Sequence, residues 1–215
     1  MKIDYSTSAL LIVDLQNDFC PGGALAIQDG DAIAEPLNRL SSIFAAKGGR
    51  VIATQDWHPA SHASFASSHG KAPGEIIDLP EVKGQFLWPD HCIEGTLGAD
   101  FHKKLNLNPV NLIIRKGFRK ELDSYSAFFE NDRLTSTGLD AYLKGLNIKT
   151  LVIGGLATDY CVYYSAVDAI NLGYTVILPL DTVKGVNLPP GSVEKALNEL
   201  EKLGAKLIES GEIDG

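Results

Sequence analysis

Three side chains of different chemistry stand just past apolar, β-branched runs. Asp14 follows Leu10 to Val13, Lys116 follows Leu112 to Arg115, and Cys161 lies a few residues past Thr150 to Gly155. In a doubly wound sheet such strand ends converge on one crevice, so an acid, an amine and a thiol meet there. The segment from Gly154 to Tyr160 leads from a strand into a helix that begins near Cys161. The positive end of that helix and the Lys116 ammonium both favour thiolate over thiol, and the backbone amides of Ala157 and Cys161 can receive an oxyanion. Taken singly each residue has a plainer role: Cys161 as a small buried hydrophobe, Asp14 as a turn or cap residue, Lys116 as a solvated charge. Their placement at one end of one sheet is what points to nucleophilic chemistry.

A second set is Asp56-Trp57-His58-Pro59, directly after the run Arg50 to Thr54, joined by Trp88-Pro89-Asp90-His91-Cys92. Asp56 and His58, two apart in extended chain, can point the same way, and His91 completes a carboxylate with two imidazoles. That ligand set suits zinc, iron or manganese and leaves positions open; without a third ligand, a turn-forming Asp56 and hydrogen-bonded histidines would account for it equally well. Ser64, eight residues after Asp56, is a further candidate that reaches a metal through water. His62, His69 and His102 read as surface or loop histidines, and Cys92 as a packing residue. Phe19, Trp88 and Tyr125 cluster around both sets, and an apolar, flat-walled pocket with few polar groups suits a small heteroaromatic ligand.

The elements that must position these residues are legible. Apolar runs without alternation recur at Ala9 to Val13, Arg50 to Thr54, Val110 to Ile114, Thr150 to Gly154, Tyr174 to Leu178 and Ala205 to Ile208. Strands buried on both faces look like this, so the sheet is mostly parallel. Crossover helices are expected near Asp31 to Ala46, Gly138 to Leu146, Cys161 to Leu172 and Gly191 to Leu203, the last with Pro189 and Pro190 before it and Gly204 after it. The expected fold is α/β, doubly wound, with about six strands and helices on both faces. One segment, His58 to Asn108, holds no convincing strand and concentrates Gly, Pro, Ser and His; a connection this long is expected to be functional.

The 215 residues suit one domain, 1–215, with that long loop at about 58–108. A net charge of -8 repels phosphate backbones and anionic lipid, so nucleic acid and membrane surfaces are poor partners. No apolar run approaches the length of about 20 residues that crosses a bilayer, and Met1 to Ser8 does not read as a secretory signal, which leads to a cytoplasmic expectation. Cys20, Cys92 and Cys161 show no CxxC spacing, which argues against a disulfide framework or a thiolate zinc site. The sequence leaves a homo-oligomer open.

Five motifs in order, Val13-Asp14-Leu15-Gln16-Asn17-Asp18-Phe19, Asp56-Trp57-His58-Pro59, Leu87-Trp88-Pro89-Asp90-His91-Cys92, Ile114-Arg115-Lys116-Gly117 and Gly154 to Val162, resemble the nicotinamidases, also called pyrazinamidases, of the isochorismatase-like cysteine hydrolases. The resemblance runs from about Ala9 to Asp181. It implies hydrolysis of nicotinamide, and of pyrazinamide, to the acid and ammonia in NAD salvage. It implies that Cys161 is the nucleophile passing through a thioester, Asp14 the base and Lys116 the cation beside the thiolate. It further implies that Asp56, His58 and His91 hold a metal that takes the substrate's pyridine nitrogen, that Leu156-Ala157 is a cis peptide, and that Phe19, Trp88 and Tyr125 line the ring pocket. Ser64 and Tyr160 stand where members of the family vary. Two other readings stay open: a related amide hydrolase of another substrate, and a hydrolase that attacks with metal-activated water while Cys161 only packs.

Overall fold

In the computed structural model, which describes residues 1–213, alternate residues of the first strand enter different cores. Leu10 and Ile12 of β1 (Ser8–Val13) pack into one apolar cluster, Ala9, Leu11 and Val13 into another. This division follows from side chains alternating across a strand, and it explains why the run is apolar throughout. One cluster is closed by α1 (Ala34–Ala46), whose Leu37, Leu40, Ser41 and Phe44 recur at helical spacing on its buried face. The other is closed by α2 (Leu139–Gly145), α3 (Tyr163–Asn171) and α4 (Ser192–Lys202).

The remaining strands are β2 (Arg50–Asp56), β3 (Ile76–Ile77), β4 (Gln85–Phe86), β5 (Leu112–Lys116), β6 (Thr150–Leu156), β7 (Thr175–Pro179), β8 (Val183–Lys184) and β9 (Lys206–Ile208). The main sheet has the order β5-β2-β1-β6-β7-β9, with β8 paired to the end of β6, and every pairing in it is parallel. The expected doubly wound α/β architecture is therefore the observed one, with seven strands where about six were expected. The seventh, β8, has two residues and leaves no periodic trace in the sequence. The segment from His58 to Asn108 contains one antiparallel ladder, Ile76 opposite Phe86, that also escapes sequence reading because it is two residues long on each side. Among the described residues no helix is long and apolar enough to cross a membrane.

Strand order reverses between β1 and β6, which pair from Ser8↔Thr150 to Val13↔Gly155. The chain leaves β1 toward β2 and β5 on one side and enters β6, β7 and β9 on the other. A crevice opens beyond the carboxyl ends of strands at such a reversal, and it is there that ligands bind in open α/β sheets.

Candidate active site

Asp14 is the first residue past β1, and its backbone takes a positive φ of 48°, a region in which residues other than Gly are uncommon and cluster at functional sites. Its carboxylate accepts from the Thr54 hydroxyl at 2.6 Å and lies 2.8 Å from the Lys116 ammonium, with both side chains fully buried. Lys116, the last residue of β5, also contacts the Asp56 carboxylate, donates to the Ser124 carbonyl at 2.9 Å and stands 3.4 Å from the Cys161 sulfur. Cys161 sits in a π-helical turn, Thr158–Val162, that precedes α3 and follows the cis peptide Leu156-Ala157. Such turns are often functional. Cys161 is 6% exposed and lines a pocket of about 350 Å³ together with Ala157.

The same pocket is lined by Asp56, His58 and His91, whose ligand atoms lie within 4.8 Å of one another. His58 Nδ1 is 2.8 Å from the Gly117 carbonyl and His91 Nδ1 is 2.7 Å from the Pro89 carbonyl. A carbonyl only accepts, so both rings carry a proton on Nδ1 and offer Nε2 as the ligating atom, the outer partner that metal-bound histidines require. His58 Nε2 and Asp56 Oδ2 are 3.6 Å apart. Three buried donors of this chemistry, with a pocket on their open side, fit a divalent cation.

Charge in this cluster is strongly graded. Burial raises the Asp14 pKa to about 6, against the opposing pull of Lys116. Burial acts on Asp56 in the same direction, but Lys116 and His58 outweigh it and hold the carboxyl below the usual range. Burial would lower the Lys116 pKa, yet Asp14 and Asp56 raise it well above its ordinary value, so the ammonium persists. The Cys161 thiol is pushed well up by burial, which Lys116 only partly offsets. His91 is lowered to about 4 by burial and by His58, and is a neutral imidazole at physiological pH. At rest the site therefore holds a carboxylate, an ammonium and a thiol side by side.

All ten residues singled out for catalysis, the oxyanion, substrate contact or direct metal ligation lie at this one crevice: Asp14 and Lys116 beneath it, Cys161, Ala157, Phe19, Trp88, Tyr125, Asp56, His58 and His91 around it. The two sets that the sequence presents separately are joined by one ammonium, Lys116, which touches both Asp14 and Asp56. Phe19 is 5% exposed with its ring 5.5 Å from His91, and the Trp88 indole donates to the Tyr125 hydroxyl at 2.9 Å. Ser64 is different: its hydroxyl is 2.7 Å from His62 Nδ1, a histidine outside the Asp56–His58–His91 group. His62, expected as a surface or loop histidine, lies in the loop but not at the surface. Its ring is fully buried, 4.4 Å from that of His58, because Ser64 and the Leu122 carbonyl satisfy its nitrogens. His69 is exposed and His102 half-buried.

Sequence reading misses several supporting residues. Thr54, a polar residue inside the buried strand β2, holds Asp14. Asp123 is 4% exposed and forms part of the pocket wall. Asp159 accepts from the Val186 and Asn187 amides at 3.0 and 2.9 Å, tying the loop before α4 to the Cys161 turn. Gln16 donates to the carbonyls of Asp56 and Ala99 at 2.8 Å each and accepts from the Asp56 amide at 2.8 Å. Replacing it by Leu leaves buried backbone groups unpaired, so Gln16→Leu is expected to cost about 1–3 kcal/mol in a urea melt and to weaken metal retention on dialysis. Retention equal to that of the parent chain would show that Gln16 does not set the position of Asp56.

The Isochorismatase domain family matches residues 8–212, and this chain belongs to that family. Within its range of similarity, a nicotinamidase of Escherichia coli (strain K12) is 46% identical over 202 residues, 93% of each chain. The structure of a nicotinamidase/pyrazinamidase from Acinetobacter baumanii matches with a TM-score of 0.91 at 46% identity, covering 96% of this chain and 97% of that one. The crystal structure of a pyrazinamidase from Pyrococcus horikoshii in complex with zinc matches with a TM-score of 0.77 at 35% identity, covering 94% and 99%.

Proposed function

We propose that this protein is a nicotinamidase, hydrolysing nicotinamide, and pyrazinamide with it, to the acid and ammonia, in the cytoplasm and in the service of NAD salvage. The observation that carries this reading is the Cys161 sulfur, 3.4 Å from the Lys116 ammonium, lining one small pocket together with a carboxylate and two imidazoles. In the mechanism we infer, Asp14 takes the thiol proton as sulfur attacks the carboxamide carbon, while Lys116 holds the developing thiolate. A resting thiol with a carboxylate beside it makes transfer concerted with attack, so no free thiolate accumulates. The amides of Ala157 and Cys161 receive the oxyanion. Asp14 then returns its proton to the departing nitrogen, ammonia leaves, and water attacks the thioester with Asp14 again accepting a proton. The acid is released and the thiol restored. Asp56, His58 and His91 would hold a divalent ion, zinc, iron or manganese, which when bound supplies a Lewis acid for a ring nitrogen. Phe19, Trp88 and Tyr125 clasp the flat ring.

The decisive test is release of ammonia from nicotinamide against aliphatic amides, with metal-loaded and chelator-stripped protein. Expected is strong preference for the pyridine ring, lost on stripping and regained on reloading. Equal rates with aliphatic amides would sink the substrate assignment.

The pH dependence follows from Asp14. Only its carboxylate form accepts the thiol proton, and its pKa is raised to about 6. We therefore expect kcat/KM for nicotinamide to fall on the acid side through an apparent pKa near 6, not near the ordinary value of 3.8. A profile flat down to pH 4.5 would remove Asp14 from the role of base.

A further inference from the structure

A second cavity of about 600 Å³ lies against the first, and the two share only the rings of Tyr125 and Tyr160. Its other walls include Phe86, Tyr164, Asn131 and Arg133, a mixture of flat apolar and polar groups. The two shared rings are held differently. Tyr125 is built into a network: its hydroxyl accepts from Trp88 and from Gln85, and its ring stacks on Tyr164 with centroids 5.4 Å apart. Tyr160 meets Trp88, Tyr125 and Phe86 by edges or at a tilt, and its hydroxyl donates at 2.6 Å to the Leu188 carbonyl in the loop that Asp159 secures. Its backbone amide bonds to the Ala157 carbonyl and is independent of the ring.

We propose that the Tyr160 ring is the partition that fixes the size of substrate this pocket accepts. With the ring in place the first cavity ends at a wall, and only unsubstituted or lightly substituted pyridine and pyrazine amides fit. Without it the two cavities merge, and the joined space takes nicotinamides carrying an aryl group on a ring carbon, whose substituent would lie among Phe86, Tyr164 and Asn131. This inference rests on the nicotinamidase reading.

The test compares the parent chain, Tyr160→Ala, Tyr160→Leu and Tyr160→Phe on nicotinamide and on nicotinamides bearing a phenyl group at each ring carbon in turn. For Tyr160→Ala and Tyr160→Leu, kcat/KM for at least one phenyl derivative relative to nicotinamide is expected to rise about tenfold or more, on the scale that pocket shape supplies. Tyr160→Phe keeps the ring and should keep the parent's ratio. Calorimetric binding of the matching phenyl-nicotinates to Tyr160→Ala reads the merged cavity even where turnover is slow. Unchanged ratios in both small variants, or no phenyl-nicotinate binding to Tyr160→Ala, would overturn the partition while leaving nicotinamide hydrolysis by the parent chain intact. Failure of the parent chain on nicotinamide would instead overturn the reading beneath it.

Discussion

Cys161→Ala is expected to fold, to retain metal and to bind nicotinamide, and to lose turnover by ten-thousandfold or more, on the order seen when a covalent nucleophile is removed. The size of the effect follows from the arrangement around the sulfur. Asp14, Lys116 and the amide positions of Ala157 and Cys161 all act on a bond that only the sulfur can make, so without it they have no intermediate to stabilise. Truncation removes one sulfur atom from a residue already 6% exposed at the pocket wall, so the packing loss is small. The rival chemistry, attack by water activated at Asp56, His58 and His91, predicts the opposite: a variant with near-parental turnover that still dies on chelation. Alkylation gives an independent reading in the parent chain. The Cys161 thiol is held protonated by burial, so modification should be slow at neutral pH, and nicotinamide should slow it further by filling the pocket. Cys20 and Cys92 are buried and line no part of that pocket, so protection by substrate reports on Cys161.

How much of this was legible beforehand depends on the kind of signal each residue leaves. After Ser8, β1 is apolar to Val13, and Asp14 is the first break in that run, so both the strand and the acid at its end are visible. The doubly wound order follows from such runs alternating with helical segments. Gln16 and Thr54 carry no such mark, since a polar residue near a strand end is ordinary until the chain that crosses above it is known. Asp123 lies 67 residues beyond Asp56 in sequence, and nothing local ties it to the pocket wall. The burial of the loop residue His62 is illegible for the same reason: it depends on a hydroxyl two residues away and a carbonyl from Leu122, partners that only the folded loop supplies. Lys116 was visible as a strand-end cation, but the reach of its ammonium to both carboxylates depends on β5 standing beside β2, with Asp56 in register with Lys116.

That double contact makes Lys116→Met the most severe single change expected for stability. Lys116 is 1% exposed, and its ammonium is the shared cation between Asp14 and Asp56, which lie within 4.8 Å of each other. Methionine fills the stem's volume, so the loss is chiefly electrostatic: two buried carboxylates are left facing one another, and breaking a buried pair in this way costs about 3–5 kcal/mol. The sign with pH is fixed by Asp14. Its folded pKa already stands above the ordinary 3.8, and removing the ammonium, which lowers it, moves it higher still. A raised folded pKa stabilises the native state fully below the unfolded value and loses that contribution as pH rises through the folded value. The deficit of Lys116→Met relative to the parent chain should therefore be smallest near pH 4 and widen toward neutrality. Adding Asp14→Asn removes one of the two charges, so the double variant should recover stability at pH 7 while remaining inactive. Recovery without activity separates charge from packing, because lost packing would persist in the double variant. A deficit independent of pH, or a double variant less stable than Lys116→Met, would mean that the ammonium is not the group that reconciles these carboxylates.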